Sequence, residues 1–271
     1  MTGQPAYALT PVALDVWQVS VAPPKLRLGL RLPLASSLFR LADRSLLLYS
    51  PVPLDDAMAA AISAEGEVAH IVAPNLSHHL HAKAALERFP RATLHGAPGL
   101  AAKRIDLKIG RELGTPDPAW KDAFDVVVID GAPRLNEALL FHRPSGTLAC
   151  ADFMFNVTQP ANVMTKLILS MGGTGSRQLA QSRVWSMLVR DRAAARASID
   201  RVLAWPIQRV APVHGDAIEI AVADLAPMLA RAYGGVPHIG SDPISSAGKR
   251  REELAQRAPH DERQVVPAVK R

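Results

Sequence analysis

Apolar and polar positions along the chain fall into short strand-like runs and longer helical ones. Alternating or continuous apolar residues predict strands at 14–21, 26–34, 37–41 and 45–50, broken by Pro23-Pro24, Pro33 and an Ala42-Asp43-Arg44 turn. A helix is expected over 55–65, where Asp55 and Asp56 suit the positive N-terminal end. Residues 68–73 read as a buried strand, 74–77 as a turn and 78–89 as a helix. Further strands are expected at 92–95 and 124–130, and at 137–142 and 146–151 as a hairpin turning on Pro144-Ser145-Gly146. Helical patterns cover 160–171 and 180–204; a last strand at 207–212 leads into a helix around 218–233. Strands at the beginning and in the middle, interleaved with helices, make a layered α/β domain.

The pattern changes after Gly234. Gly, Pro and Ser cluster, then mixed charges follow with few large apolar residues. The expectation is one domain over 1–237 and a disordered tail over 238–271. A chain ending near Gly240 should therefore keep the parent's melting temperature within a few degrees; a large drop would mean that the tail docks on the domain.

Composition narrows the class. A hydrophobic share of 48% and a mean hydropathy of +0.07 fit a globular protein, and with aromatics at 5% the core must be Leu, Val and Ala. Cys150 is the single cysteine, which excludes an intramolecular disulfide and a Cys-rich zinc module. It sits in an apolar run over 147–151 and reads as a structural thiol. The N-terminus lacks a cationic start and a following apolar run, and no stretch is long enough to span a bilayer. A cytoplasmic protein with no membrane partner is expected.

A net charge of +6 and a pI near 9.8 raise the question of nucleic acid. The basic residues are spread out, and the one tight run, Lys249-Arg250-Arg251, is followed at once by Glu252 and Glu253. No helix-turn-helix, zinc-finger or aromatic-basic pattern is present. The charge reads as solvated surface, with no nucleic-acid partner. The oligomeric state is not legible.

Chemistry-bearing residues gather at predicted strand ends: Pro74-Asn75-Leu76-Ser77-His78-His79-Leu80-His81, then Asp152, His214 and Glu137. Loops at strand ends are where layered α/β folds build ligand sites. Neighbouring histidines on a regular helix point about 100° apart, but at an irregular junction His78 and His79 could converge. Imidazole nitrogen and carboxylate oxygen suit zinc, iron or manganese, so His78, His79, Asp152 and His214 are the expected ligands. The plainer reading is capping and surface histidines beside an unrelated core aspartate. Asp152, Glu137 and His142 are candidates for acid–base work or for supporting the ligands. His95 and His81 could border the same site. Gly172-Gly173-Thr174-Gly175-Ser176 lacks the strand before it and the Lys-Ser/Thr ending of a phosphate loop, so it reads as a connecting loop.

The order of these pieces resembles the metallo-β-lactamase superfamily. That family has a strand followed by His-x-His-x-Asp-His, a later strand into a bridging aspartate, and a final strand into a Gly-His-like turn. Here 144–152 is similar to the hairpin into the aspartate, and Ala211-Pro212-Val213-His214-Gly215-Asp216 to the final turn. Within the superfamily the chain most resembles an uncharacterised bacterial branch with a Pro-Asn-x-x-His-His turn and a Phe-His-Arg-Pro-Ser strand, here 74–79 and 141–145. The likeness runs over about residues 12–233.

The resemblance implies an αββα four-layer sandwich and a reduced metal site. It sets Pro74 and Leu76 where the motif's first two histidines stand, and Arg134 near the middle histidine, so the first metal site has lost its imidazoles. The second would keep His79, Asp152 and His214, with His78 in place of a carboxylate. The implied cofactor is one divalent metal, zinc first, with iron or manganese as alternatives. The implied function is a metal-dependent hydrolase acting through activated water on a small-molecule ester, thioester or phosphoester, with Arg134 and Asn75 binding substrate. The alternative is a non-catalytic relative that binds a metal or small ligand as a sensor or scaffold.

Overall fold

In the computed structural model, which describes residues 7–22, 29–175 and 179–233, central strands such as Leu46–Tyr49 and Ala138–His142 are almost wholly apolar because both of their faces are covered. One sheet runs in chain order: β1 (Tyr7–Ala13), β2 (Val16–Val21), β3 (Leu34–Arg40), β4 (Leu46–Tyr49), β5 (Val68–Ala73), β6 (Thr93–Gly96) and β7 (Arg111–Glu112). It is antiparallel from β1 to β4 and parallel from β4 to β7. The other contains β8 (Phe124–Val128), β9 (Ala138–His142), β10 (Thr147–Asn156), β12 (Arg209–Gly215) and β13 (Ile218–Glu219), with β11 (Ala180–Gln181) on the far end of β10.

Strand alternation sorts the side chains into three cores. Leu46 and Leu48 of β4 face α1 (Asp56–Glu65) and α2 (Ala82–Arg88), joining Met58, Ile62 and Ala85. Leu47 and Tyr49 of the same strand face the other sheet and meet Phe124, Leu140 and Val213. On that sheet's outer side, Leu139, Phe141, Leu148 and Val210 pack against α5 (Arg183–Leu188), α6 (Arg192–Leu203) and α7 (Val222–Tyr233). Three apolar layers between four structural ones make the expected αββα sandwich. The described residues all fall within one compact unit, Met1–Val236. The expected tail lies outside the described residues, and no described helix is long and apolar enough to cross a membrane.

Several boundaries differ from the sequence reading, each for a local reason. A hairpin precedes β2, with Asp15 in the left-handed region at φ 59°. Of the strand expected over 26–34, residues 26–28 lie outside the described ones, and β3 begins only at Leu34. The long helix expected over 180–204 is split, because the Arg190 and Asp191 N–H groups turn to the Gly131 carbonyl and Asp191 caps α6 by accepting from Ala194 at 3.0 Å. The helix expected from residue 78 begins at Ala82. β10 and β12 run on to Asn156 and Gly215, so Asp152 and His214 lie inside strands rather than beyond them.

Candidate metal centre

Asp152 reaches the site because β10 bulges there. Cys150 pairs with Pro212 and Phe155 with His214, so the five steps from 150 to 155 on β10 oppose the two from 212 to 214 on β12. The excess backbone leaves the ladder and turns the carboxylate toward the turn after β5. At the end of β12, Gly215 has φ 111°, and a Cβ there would fall 2.0 Å from the Asn156 carbonyl oxygen. Only glycine lets the strand pass so closely after His214.

His78 arrives on the turn after β5, and Asn75 shapes that turn. The Asn75 Oδ1 accepts the N–H groups of Ser77 at 2.8 Å and His78 at 2.6 Å. Its Nδ2 donates to Asp152 Oδ2 at 3.0 Å and to Glu137 Oε2 at 3.4 Å. Asn75 is fully buried, so it holds His78 and Asp152 in register and is not placed to bind substrate as expected.

The three groups His78, Asp152 and His214 offer ligand atoms that all lie within 4.8 Å of one another. Asp152 Oδ1 is 3.3 Å from His78 Nε2 and 3.4 Å from His214 Nε2. Those separations match the roughly 3.4 Å edge of a tetrahedron with metal bonds of about 2.0–2.1 Å. His214 Nδ1 donates to the Pro33 carbonyl at 3.0 Å, which leaves Nε2 with a lone pair in the neutral ring. In that tautomer Nε2 and the carboxylate face each other as two acceptors, an arrangement that either a metal ion between them or a proton on Nε2 relieves. His78 Nδ1 lies 3.1 Å from Ser50 Oγ, so this ring too is oriented from behind. Two imidazoles and a carboxylate fit a divalent zinc, iron or manganese ion. Burial works against the Asp152 charge, but where protonated rings face it the His78 charge and the hydrogen bonds from His214 and His78 outweigh that and hold the carboxyl well below its usual range.

Ser50 was not foreseen. It takes a left-handed conformation, φ 54°, at the end of β4, and its carbonyl accepts from Ser36 Oγ at 2.7 Å. That strained backbone aims Oγ at His78. Nothing in Leu48-Tyr49-Ser50-Pro51 signals the role.

Other expected residues stand elsewhere. His79 is not in the group: its Nδ1 accepts from the Arg104 guanidinium at 2.8 Å, which occupies the lone pair a metal would need. Burial, with Lys103 and Arg104 nearby, pushes its pKa down. His142 lies at the opposite end of β9 from Glu137, bonded through Nδ1 to Ser145 Oγ at 2.8 Å and packed on Phe39 and Phe124, so it takes no part in the site. His95 pairs with His70 at 3.1 Å and packs edge-on against Trp120; His81 precedes α2. Arg134 is exposed on the segment between β8 and β9, beside Leu135, whose carbonyl accepts the Leu76 N–H at 2.9 Å.

Burial holds both His95 and His142 at a pKa of about 4. Each is thus neutral in the fold but protonates near pH 6.5 when unfolded. The stability this contributes is present above pH 6.5 and is lost as the pH falls toward 4. Urea melts of His142→Gln should show a loss between pH 7 and pH 5 that is smaller than the parent's by about 2 kcal/mol. An equal loss in both would mean that His142 does not titrate in this window.

Glu137 lies directly behind Asp152 and is fully buried. Its Oε1 accepts from Ala151 N–H at 2.8 Å and Phe153 N–H at 3.1 Å, the two residues flanking Asp152. Its Oε2 accepts from Trp185 Nε1 at 3.2 Å. Burial, then the Asp152 charge, push its pKa up to about 8 against the pull of these donors. In front of Asp152 opens a cavity of about 300 Å³, lined also by Ser77, Leu135, Phe155 and Trp185. Of the three groups of the cluster, Asp152 is the one that lines this space.

Two sheets with this strand order and outer helices define the metallo-β-lactamase fold. A metal-soaked Flv1 flavodiiron core from Synechocystis sp. PCC6803 superposes with a TM-score of 0.59 at 13% identity, over 84% of this chain and 61% of that one. A metallo-β-lactamase from Hirschia baltica gives 0.55 at 12% identity, over 84% and 96% of the two chains. The FIM-1 metallo-β-lactamase from Pseudomonas aeruginosa, in its mono-zinc form, gives 0.53 at 14% identity, over 86% and 98%. Such identities establish the fold alone, and the chain spans only about three fifths of the flavodiiron core. No curated protein matches the chain in sequence. The chain belongs to the family described as Domain of unknown function (DUF4336), whose pattern matches residues 27–181, more than half of its length.

Proposed function

We propose that the protein is a hydrolase that uses one divalent metal, zinc in the first place, on a small-molecule ester, thioester or phosphoester. The observation that carries this reading is the convergence of His78, Asp152 and His214, with donor atoms within 4.8 Å and both imidazoles oriented from behind. When bound, such an ion supplies Lewis acidity and lowers the pKa of water to around 7. The chain's own residues do the rest. His78 and His214 present Nε2, and Asp152 presents Oδ1 while Asn75 restrains Oδ2. Asp152 also borders the cavity, where it can accept a proton from a water beside the substrate. Glu137 has no opening to the cavity and works as a positioning residue. Arg134, exposed near the turn, supplies positive charge for an anionic substrate group.

One of the structures similar to this chain is a lactamase in its mono-zinc form, so the fold can hold a single ion. An open approach through the cavity supports a reactive rather than a purely structural ion. Zinc titration of purified protein should saturate near one equivalent per chain, and chelation should remove esterase or thioesterase activity that added zinc restores. Two tightly bound equivalents would sink the single-site reading. No bound metal under any condition would replace the hydrolase by a non-catalytic ligand-binding protein.

A further inference from the structure

We infer that the cavity before Asp152 holds the apolar tail of the substrate, which makes the ligand a medium-chain acyl compound. For the fate of the head group this rests on the hydrolase reading; the binding of the tail stands apart from it. The cavity wall is built by three separate segments. Leu30 and Leu32 come from the stretch before β3, Ile168 and Leu169 from α4 (Val163–Met171), and Val184 and Leu188 from α5. The Trp185 ring joins them, its N–H directed away to Glu137. Thr174 also lines the space, but its hydroxyl donates to the Leu169 carbonyl at 3.2 Å.

Among the described lining residues Asp152 is the one charged group, and it stands with Ser77 where the cavity meets the metal-binding cluster. The space is thus charged at one end and, apart from the Ser182 and Thr174 hydroxyls, apolar over the rest, the shape of an amphiphile. Beyond Asp152 the described lining offers only apolar side chains and hydroxyls, a surrounding that suits the uncharged body of an ester or thioester. At roughly 30 Å³ per methylene-sized group, about 300 Å³ takes a tail of about ten carbons.

The test uses the full chain after chelation, so that no hydrolysis is involved. Binding of a series of 2-alkanones, from acetone to 2-dodecanone, is followed by tryptophan fluorescence. Affinity should rise about fourfold per added methylene and level off near ten carbons. Leu32→Trp, at a half-buried position, should fill the space and flatten the series while the melting temperature stays within a few degrees. A wild-type series with no dependence on chain length overturns the inference, as does an unchanged series in a folded Leu32→Trp variant. A graded series in a protein that neither binds zinc nor cleaves esters would remove the hydrolase and leave the tail site. A flat series beside one-equivalent zinc binding would do the reverse.

Discussion

Replacing Asp152 with alanine should weaken zinc binding by at least about a hundredfold, whereas His79→Gln should leave it within about threefold of the parent. The contrast follows from where the lone pairs point. Asp152 Oδ1 stands between His78 Nε2 and His214 Nε2 and contributes the one negative charge among the three ligand groups. Without it two neutral imidazoles remain, and changes merely behind metal ligands already cost about 10–100-fold. His79 has its Nδ1 committed to Arg104, so a glutamine that keeps a polar contact there takes nothing from the ion. Competition with a chromogenic chelator measures both, with melting curves to confirm folding. If His79→Gln lost zinc as severely as Asp152→Ala, the imidazole would have to leave Arg104 on metal binding.

Which histidines matter was only partly legible in the sequence. The strand-turn pattern around Val68–Ala73 placed the His78-His79 turn correctly, because a strand buried on both faces carries a continuous apolar run. The choice between the two imidazoles was a matter of turn geometry. Asn75 stands three residues before His78, the spacing at which an Asx side chain caps a turn, and that signal could have singled out His78. His142 could have been excluded too. It lies five residues from Glu137 along β9, about 17 Å at 3.4 Å per residue, too far for both to serve one site. The bulge at Asp152 had no such mark. Residues 147–155 are apolar apart from Thr147 and Asp152, and the break in register depends on β12, some sixty residues later. Ser50 was hidden for the same reason: its backbone conformation depends on Val72, which accepts its N–H, and on Ser36.

The same bulge makes Glu137 the residue whose loss should hurt the fold most. Pairing of β10 with β9 ends at Ala149, and pairing with β12 lapses between Cys150 and Phe155. The Ala151 and Phe153 N–H groups fall in that gap, and Glu137 Oε1 takes the place of a partner strand for both. Glu137→Ala leaves these two backbone donors without their acceptor and removes one contact each of Trp185 and Asn75, all within the buried interior. Buried donors stripped of a partner cost about 1–3 kcal/mol each, and partial relaxation brings the sum to about 3–5 kcal/mol. For a domain of this size that is a fall of roughly 10 °C in melting temperature. Glu137→Gln keeps one oxygen for the two backbone groups but turns an amide NH2 toward Trp185 and Asn75, so its cost should be about half. Because the gap flanks Asp152, zinc affinity should fall with stability, by about 10–100-fold. A Glu137→Ala protein that melts within 2 °C of the parent would show that the bulge holds its shape without the carboxylate.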